Sequence, residues 1–307
     1  MARFELHILG CGSATCTLRH NPSCQVLNVH DQLMMIDCGE GAQLEMRRAK
    51  LSFSRLRHIF LSHLHGDHCF GLPGLLSTMA LLKCNGTVTV HTFAEGAEQF
   101  GRMMDYFCPE RPYELKFDII DTHKRVVYED NHITVTAFPL LHRIPAVGFR
   151  FDEKPKLRHI NGKAVRELNI PHYAMHSLQQ GMDWVMPDGT VIDNKLLTTD
   201  ADSTHSYAYC SDTRYSKRVI SAVRGVEWLY HEATYDDSLR LKAHNRYHST
   251  ALEAAKVAQQ AGAEHLILGH YSKRYTDETP LLQEAQQVFP ATMLAAEGMT
   301  IDIEKGH

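Results

Sequence analysis

Short apolar runs recur along this chain, and most of them end in a glycine, a histidine or an aspartate. Phe4, Leu6 and Ile8 alternate with Glu5 and His7, which predicts a strand with one apolar face running into Gly10-Cys11-Gly12-Ser13. Residues 24–29 and 33–36, joined through His30-Asp31, read as a hairpin. Asp37-Cys38-Gly39-Glu40-Gly41 then turns into a helix reaching Lys50, with Asp37 or Glu40 near its positive end. A strand at 57–61, a helix over 70–82, a strand at 87–91 and a helix over 95–106 follow, and strand patterns recur at 115–120, 124–128 and 132–138. The second half repeats the theme, with strands at 206–210, 227–230, 265–268 and 299–303 and helices over 250–260 and 281–288. Short strands interleaved with helices predict a layered α/β domain.

Residues 152–183 break the rhythm. Lys154, Lys156, Arg158, Lys163 and Arg166 stand there against Asp152, Glu153, Glu167 and Asp183, with few large apolar residues. A segment of this length without a core reads either as a solvated helix or as an arm that contacts RNA or a partner. We therefore expect one domain over 1–307 with an inserted arm at 152–183. Apolar residues make up 44% of the 307, ample for a large core. The sequence has neither an apolar run long enough to span a membrane nor the apolar region of a signal peptide near its start, so we expect a cytoplasmic protein with no membrane partner. Eight cysteines without a Cys-x-x-Cys pair signal neither a disulfide scaffold nor a zinc knuckle. A net charge of −4 argues against a uniformly positive surface and leaves room for a local basic patch.

The densest chemistry is His63-Leu64-His65-Gly66-Asp67-His68, which follows the apolar strand at 57–61. Alternate residues at a strand end point the same way, and Gly66 allows the turn that brings Asp67 and His68 round. Imidazole and carboxylate ligands suit zinc and other divalent transition metals. His142, Asp212 and His270 follow apolar strands in the same manner, as helix caps or as the distant ligands that such a cluster lacks. Our assignment places His63, His65 and His142 on one ion, Asp67, His68 and His270 on a second, and Asp212 between them. Such a pair suits phosphodiester hydrolysis. His248 is the candidate donor of a proton to the leaving oxygen and Glu232 the carboxylate that orients it, with helix capping by His248-Ser249 as the competing role.

These motifs resemble the metallo-β-lactamase superfamily, and within it the ribonuclease Z family, short form. The resemblance rests on the histidine motif together with Phe60-Leu61-Ser62, Gly71-Leu72-Pro73-Gly74-Leu75, Asp37-Cys38-Gly39-Glu40-Gly41, Ser211-Asp212-Thr213, His231-Glu232-Ala233-Thr234, His248-Ser249-Thr250 and Gly269-His270-Tyr271-Ser272-Lys273-Arg274-Tyr275. It implies an αββα four-layer sandwich with two central mixed sheets, two zinc ions per subunit or manganese in their place, and cleavage of tRNA precursors after the discriminator nucleotide to leave a 3′-hydroxyl. It further implies Asp67 as ligand and proton acceptor, His248 and Glu232 as the pair at the leaving oxygen, Arg274 near the substrate phosphate, and a homodimer whose arm grips tRNA, with no DNA partner. Arg19 and Asn21 fall in the early loop that shapes recognition of the 3′ end, although that loop lacks the family's proline. Asn169-Ile170-Pro171 stands where the arm usually has Gly-Pro, and Tyr247 where glycine is common. A broader binuclear phosphodiesterase, a glyoxalase-like or lactamase-like hydrolase and a non-catalytic RNA-binding relative are the rival readings.

Overall fold

The computed structural model describes residues 4–121 and 125–306. The larger of two compact units comprises the chain up to Asp152 and from His205 onward, and two seven-stranded sheets form its centre. In the first, Phe4–Gly10, Cys24–Val29 and Gln32–Ile36 pair antiparallel; Leu56–Phe60, Gly86–Thr92 and Tyr113–Ile119 continue it in parallel, and Thr300–Asp302 closes the other edge. In the second, Ser206–Cys210, Trp228–Glu232, His265–Gly269 and Thr292–Leu294 run parallel, and Val147–Glu153, Ile133–Pro139 and Val126–Glu129 extend it the other way.

The hairpin shows why the sheets are inner layers. Leu27, Val29, Met34 and Ile36 join a cluster with Phe149, Phe151 and Tyr207 of the second sheet, whereas Cys24, Val26, Leu33 and Met35 pack with Leu72, Leu75, Leu76 and Met79 of the helix Leu72–Leu81. A strand buried on both faces needs an unbroken apolar run, which explains Leu33-Met34-Met35-Ile36. On the second sheet the helix Ala251–Ala261 supplies Ala254, Ala255, Val257 and Ala258 to the core. Helix, sheet, sheet, helix is the four-layer order that the motifs imply.

The start of Ala251–Ala261 settles one alternative. Thr250 is its N-cap, in a capping box with Glu253, and Gly262 ends it at φ 67°. Ser249 instead donates to the Thr213 carbonyl at 2.7 Å, so neither His248 nor Ser249 caps the helix. Among the elements absent from the sequence pattern are the strands Val147–Glu153 and Thr292–Leu294 and the helices Lys217–Ala222 and Arg240–Arg246. Arg240–Arg246 buries only Ala243, so it carries no apolar stripe. Lys124, the first residue of the strand expected over 124–128, lies outside the described residues, and the strand starts at Val126.

Glu153–Thr204 forms the second compact unit. It is not coreless, because Val165, Ile170, Ala174, Leu178 and Leu197 make a small cluster of their own. It also reaches beyond residue 183, since Thr198–Thr199 pairs with His159–Ile160 and Asn194 donates to the Leu178 and Met182 carbonyls at 2.8 Å each. Six Lys or Arg face seven Asp or Glu in this unit, with Lys156 on Glu153 at 3.1 Å and Arg158 on Asp200 at 2.8 Å. Its cations are therefore largely compensated.

Candidate metal centre

Strand ends deliver every candidate ligand. Leu56–Phe60 leads to His63 and His65, and the turn Gly66–Cys69 carries Asp67 and His68. His142 follows Ile133–Pro139, Asp212 follows Ser206–Cys210, and His270 follows His265–Gly269. The fold brings all seven together in two groups. His65 Nδ1 lies 3.0 Å from His63 Nε2 and 3.2 Å from His142 Nε2. Asp67 Oδ2 lies 3.3 Å from His68 Nε2 and 3.5 Å from His270 Nε2. Asp212 faces both groups, with Oδ2 at 3.7 Å from the Nε2 atoms of His63 and His142 and Oδ1 at 3.5 and 3.1 Å from those of His68 and His270.

Hydrogen bonds on the far side of four of the rings fix their tautomers. Nδ1–H of His68 donates to Asp37 at 2.7 Å, that of His142 to the Tyr247 carbonyl at 3.1 Å, that of His270 to Thr234 Oγ1 at 2.9 Å, and that of His63 to Ser62 Oγ at 3.0 Å. Each Nε2 lone pair is thereby turned inward. Burial, and then neighbouring His68, hold His63 well below the ordinary histidine pKa, so it is neutral, the form that ligates. Yet His68 Nε2, His270 Nε2 and Asp212 Oδ1 are buried without a hydrogen-bond partner among the described residues. Buried lone pairs that face one another are costly, and divalent cations among them would remove the cost. The donor set of nitrogen and carboxylate oxygen fits a transition metal. A further group, Cys11, His20 and Glu297, is already satisfied by hydrogen bonds.

Beside the second group, His248 Nδ1–H donates to Glu232 Oε1 at 2.9 Å. Glu232 is fully buried and also accepts from Thr213 N at 3.0 Å and from Thr234 Oγ1 at 2.7 Å. Burial opposes the imidazolium of His248, but Glu232 and Asp212 outweigh it and raise its pKa to about 9.

Comparison with known proteins places this geometry. Ribonuclease Z of Porphyromonas gingivalis is 49% identical over 305 residues, 99% of this chain and 100% of its own, and ribonuclease Z of Bacteroides fragilis is 47% identical over 304 residues, 99% of this chain and 100% of its own. The chain belongs to the ribonuclease Z family. The fold matches the solved human tRNase Z, short form, with a TM-score of 0.69 at 24% identity over 97% of this chain and 99% of that one. A family model described as anti-Pycsar protein Apyc1 matches residues 4–91.

Several residues that hold the family motifs in place were not legible as site residues. Asp37 is no helix cap: its carboxylate accepts from His68, from Ser62 N and Oγ at 2.7 and 2.8 Å, and from Tyr209 Oη at 2.8 Å. Asp37, Tyr247 and His270 all adopt positive φ, of 54°, 63° and 60°. Such strain costs on the order of 1–3 kcal/mol per residue and persists only where surrounding bonds over-determine it. Tyr247 stands where glycine would be relaxed, and the Arg214 guanidinium lies 3.8 Å over its ring. The only sequence signals were an aspartate directly after a strand and a tyrosine at a glycine position. Asp37→Asn should weaken metal binding about 10–100-fold with the fold intact, measured by competition with a chelator.

A cleft of about 840 Å³ opens onto the centre, and Arg143, Lys242, Arg246, Lys273 and Arg274 line it. Arg274 lines this cleft, while the Arg19 guanidinium donates to Glu278 at 2.7 Å and to the Tyr275 carbonyl at 2.9 Å, holding two loops together. Asn21 lies beside Gly41, and its backbone N–H donates to Glu297 at 2.9 Å. Between them, His20 bridges Glu297 at 2.9 Å and Glu278 at 3.3 Å. Its hydrogen bond to Glu297, with help from Glu278, raises its pKa. The clasp should therefore stabilise fully below the unfolded histidine value of about 6.5 and fade as pH rises through the raised one. His20→Gln should lower Tm by about 2 °C more at pH 6 than at pH 10, read by thermal melts.

Proposed function

We propose that this chain is a metal-dependent endoribonuclease that removes 3′ trailers from tRNA precursors, cutting after the discriminator nucleotide and leaving a 3′-hydroxyl. The convergence of two ligand groups on Asp212, with the His248–Glu232 pair alongside, is the observation that carries this reading. Two zinc ions, or manganese in their place, would supply Lewis acidity at the phosphate and lower the pKa of water. His63, His65 and His142 would hold one and Asp67, His68 and His270 the other, with Asp212 between. His68 and His270 outweigh the burial of Asp67 and hold it ionised, and the family resemblance gives it the role of accepting the proton of the attacking water. Nδ1 of His248 is committed to Glu232, so Nε2–H is the group that protonates the departing oxygen.

The cations of the cleft meet the phosphates on either side of the cut. We further propose that the protein is a cytoplasmic homodimer in which the unit Glu153–Thr204 of one subunit grips tRNA held by the other. Because its charges nearly cancel, shape and hydrogen bonding carry that grip more than net charge. No described helix is long and apolar enough to cross a membrane.

Incubation with a tRNA precursor bearing a 3′ trailer, with the cut mapped at nucleotide resolution, is the test. A single cut after the discriminator is expected; rapid turnover of bis(p-nitrophenyl) phosphate with untouched precursor would favour the broader phosphodiesterase. Removal of 154–175 should impair precursor cleavage far more than small-diester turnover, and an equal loss on both would make the segment structural.

A further inference from the structure

Phe70 is the one large apolar side chain lining the metal-centre cleft that stands 65% exposed among the described residues. Among the described residues it belongs to none of the hydrophobic clusters and makes no ring contact with another aromatic residue. The ring is nevertheless held in place. Phe70 N–H donates to the Gly66 carbonyl at 2.8 Å, and a Cβ added at Gly66 would meet three atoms of the ring at 2.4–2.8 Å, so one side of it rests against bare backbone. Mostly exposed, the ring adds little to the core, and its position three residues after Asp67 ties it to the ligand turn itself.

The same cleft sorts its chemistry. Lys242 and Arg246 are one helical turn apart on Arg240–Arg246, just before His248, while Lys273 and Arg274 follow His270. None of these four is in a salt bridge among the described residues. Cations that run along a backbone beside an exposed aromatic ring are the combination that binds a single strand, in which each unpaired base offers a π-face. A duplex hides that face in its stack.

Resting on the ribonuclease reading, we propose that Phe70 is a stacking platform for an unpaired base next to the scissile phosphate. It thereby makes the centre select RNA that is single-stranded at the cut. A strand docked in this way is pinned at the base by Phe70 and at its phosphates by the cations, which fixes which phosphate faces the centre.

The test uses the full-length, metal-loaded protein and precursor RNAs carrying either a normal or an abasic nucleotide on each side of the cut. Phe70→Ala should lower kcat/KM for the base-bearing RNA about tenfold more than for the abasic RNA at one of the two positions. The loss should fall mainly on KM. Phe70→Trp should restore the difference, whereas Phe70→Leu, which keeps apolar bulk without the π-face, should not. Equal losses on both RNAs, or a leucine as good as phenylalanine, would overturn the proposal while leaving the ribonuclease reading standing. A wild-type protein that turns over a small diester but leaves every RNA intact removes the ribonuclease reading itself.

Discussion

Asp212→Ala should abolish hydrolysis and leave at most one metal ion per chain. Its two carboxylate oxygens face different groups, Oδ2 toward His63 and His142 and Oδ1 toward His68 and His270. Removing it would take a negative charge from between the two ligand groups and withdraw a candidate ligand from each. His63, His68 and His270 stay buried and converging, now without a shared carboxylate. Burial alone would raise the pKa of Asp212, but His270, His68 and the other surrounding imidazoles hold it well below the usual range, so it is ionised at any working pH. Native mass spectrometry counts the ions and a phosphodiester assay reads the rate. Two ions with near wild-type turnover would refute the bridging assignment.

The second large effect is expected at His248. His248→Ala should lower kcat by roughly 10²–10⁴, the usual contribution of a positioned general acid, with metal content unchanged. Glu232→Gln separates positioning from proton transfer. It keeps an acceptor for His248 Nδ1–H but removes the charge that favours the imidazolium. The pKa of His248 should therefore fall, and the alkaline limb of kcat/KM should move to lower pH. A variant whose pH profile does not move would show that Glu232 is merely structural. Thr234 also reports on the pair, since its hydroxyl donates to Glu232 while accepting from His270, and so couples the His248–Glu232 pair to a candidate ligand.

Legibility in the sequence followed covalent proximity. His63 to His68 were readable because Gly66 places four ligands within one turn, and His142, Asp212 and His270 because each directly follows an apolar strand. Asp37 was readable only as a strand end, because its partners Ser62, His68 and Tyr209 lie 25, 31 and 172 residues away. The partner of Arg19 was hidden for the same reason, since Glu278, which accepts from its guanidinium, lies 259 residues on. The segment after residue 152 looked coreless although Val165, Ile170, Ala174 and Leu178 lie within it, because these scattered residues form a cluster only in the fold, where Leu197 joins them, and the partner of Arg158, Asp200, also comes late.

The sequence by itself determined the layered α/β architecture, the candidate ligand residues and the order in which strands deliver them, since apolar periodicity and residue chemistry are local properties. Only the tertiary structure decided which oxygen of Asp212 faces which group, which nitrogen of each histidine points inward, and that Phe70 stands exposed beside the centre. Those features depend on side chains brought within about 3–4 Å of one another from strand ends far apart in the chain, where hydrogen bonding and burial select one orientation.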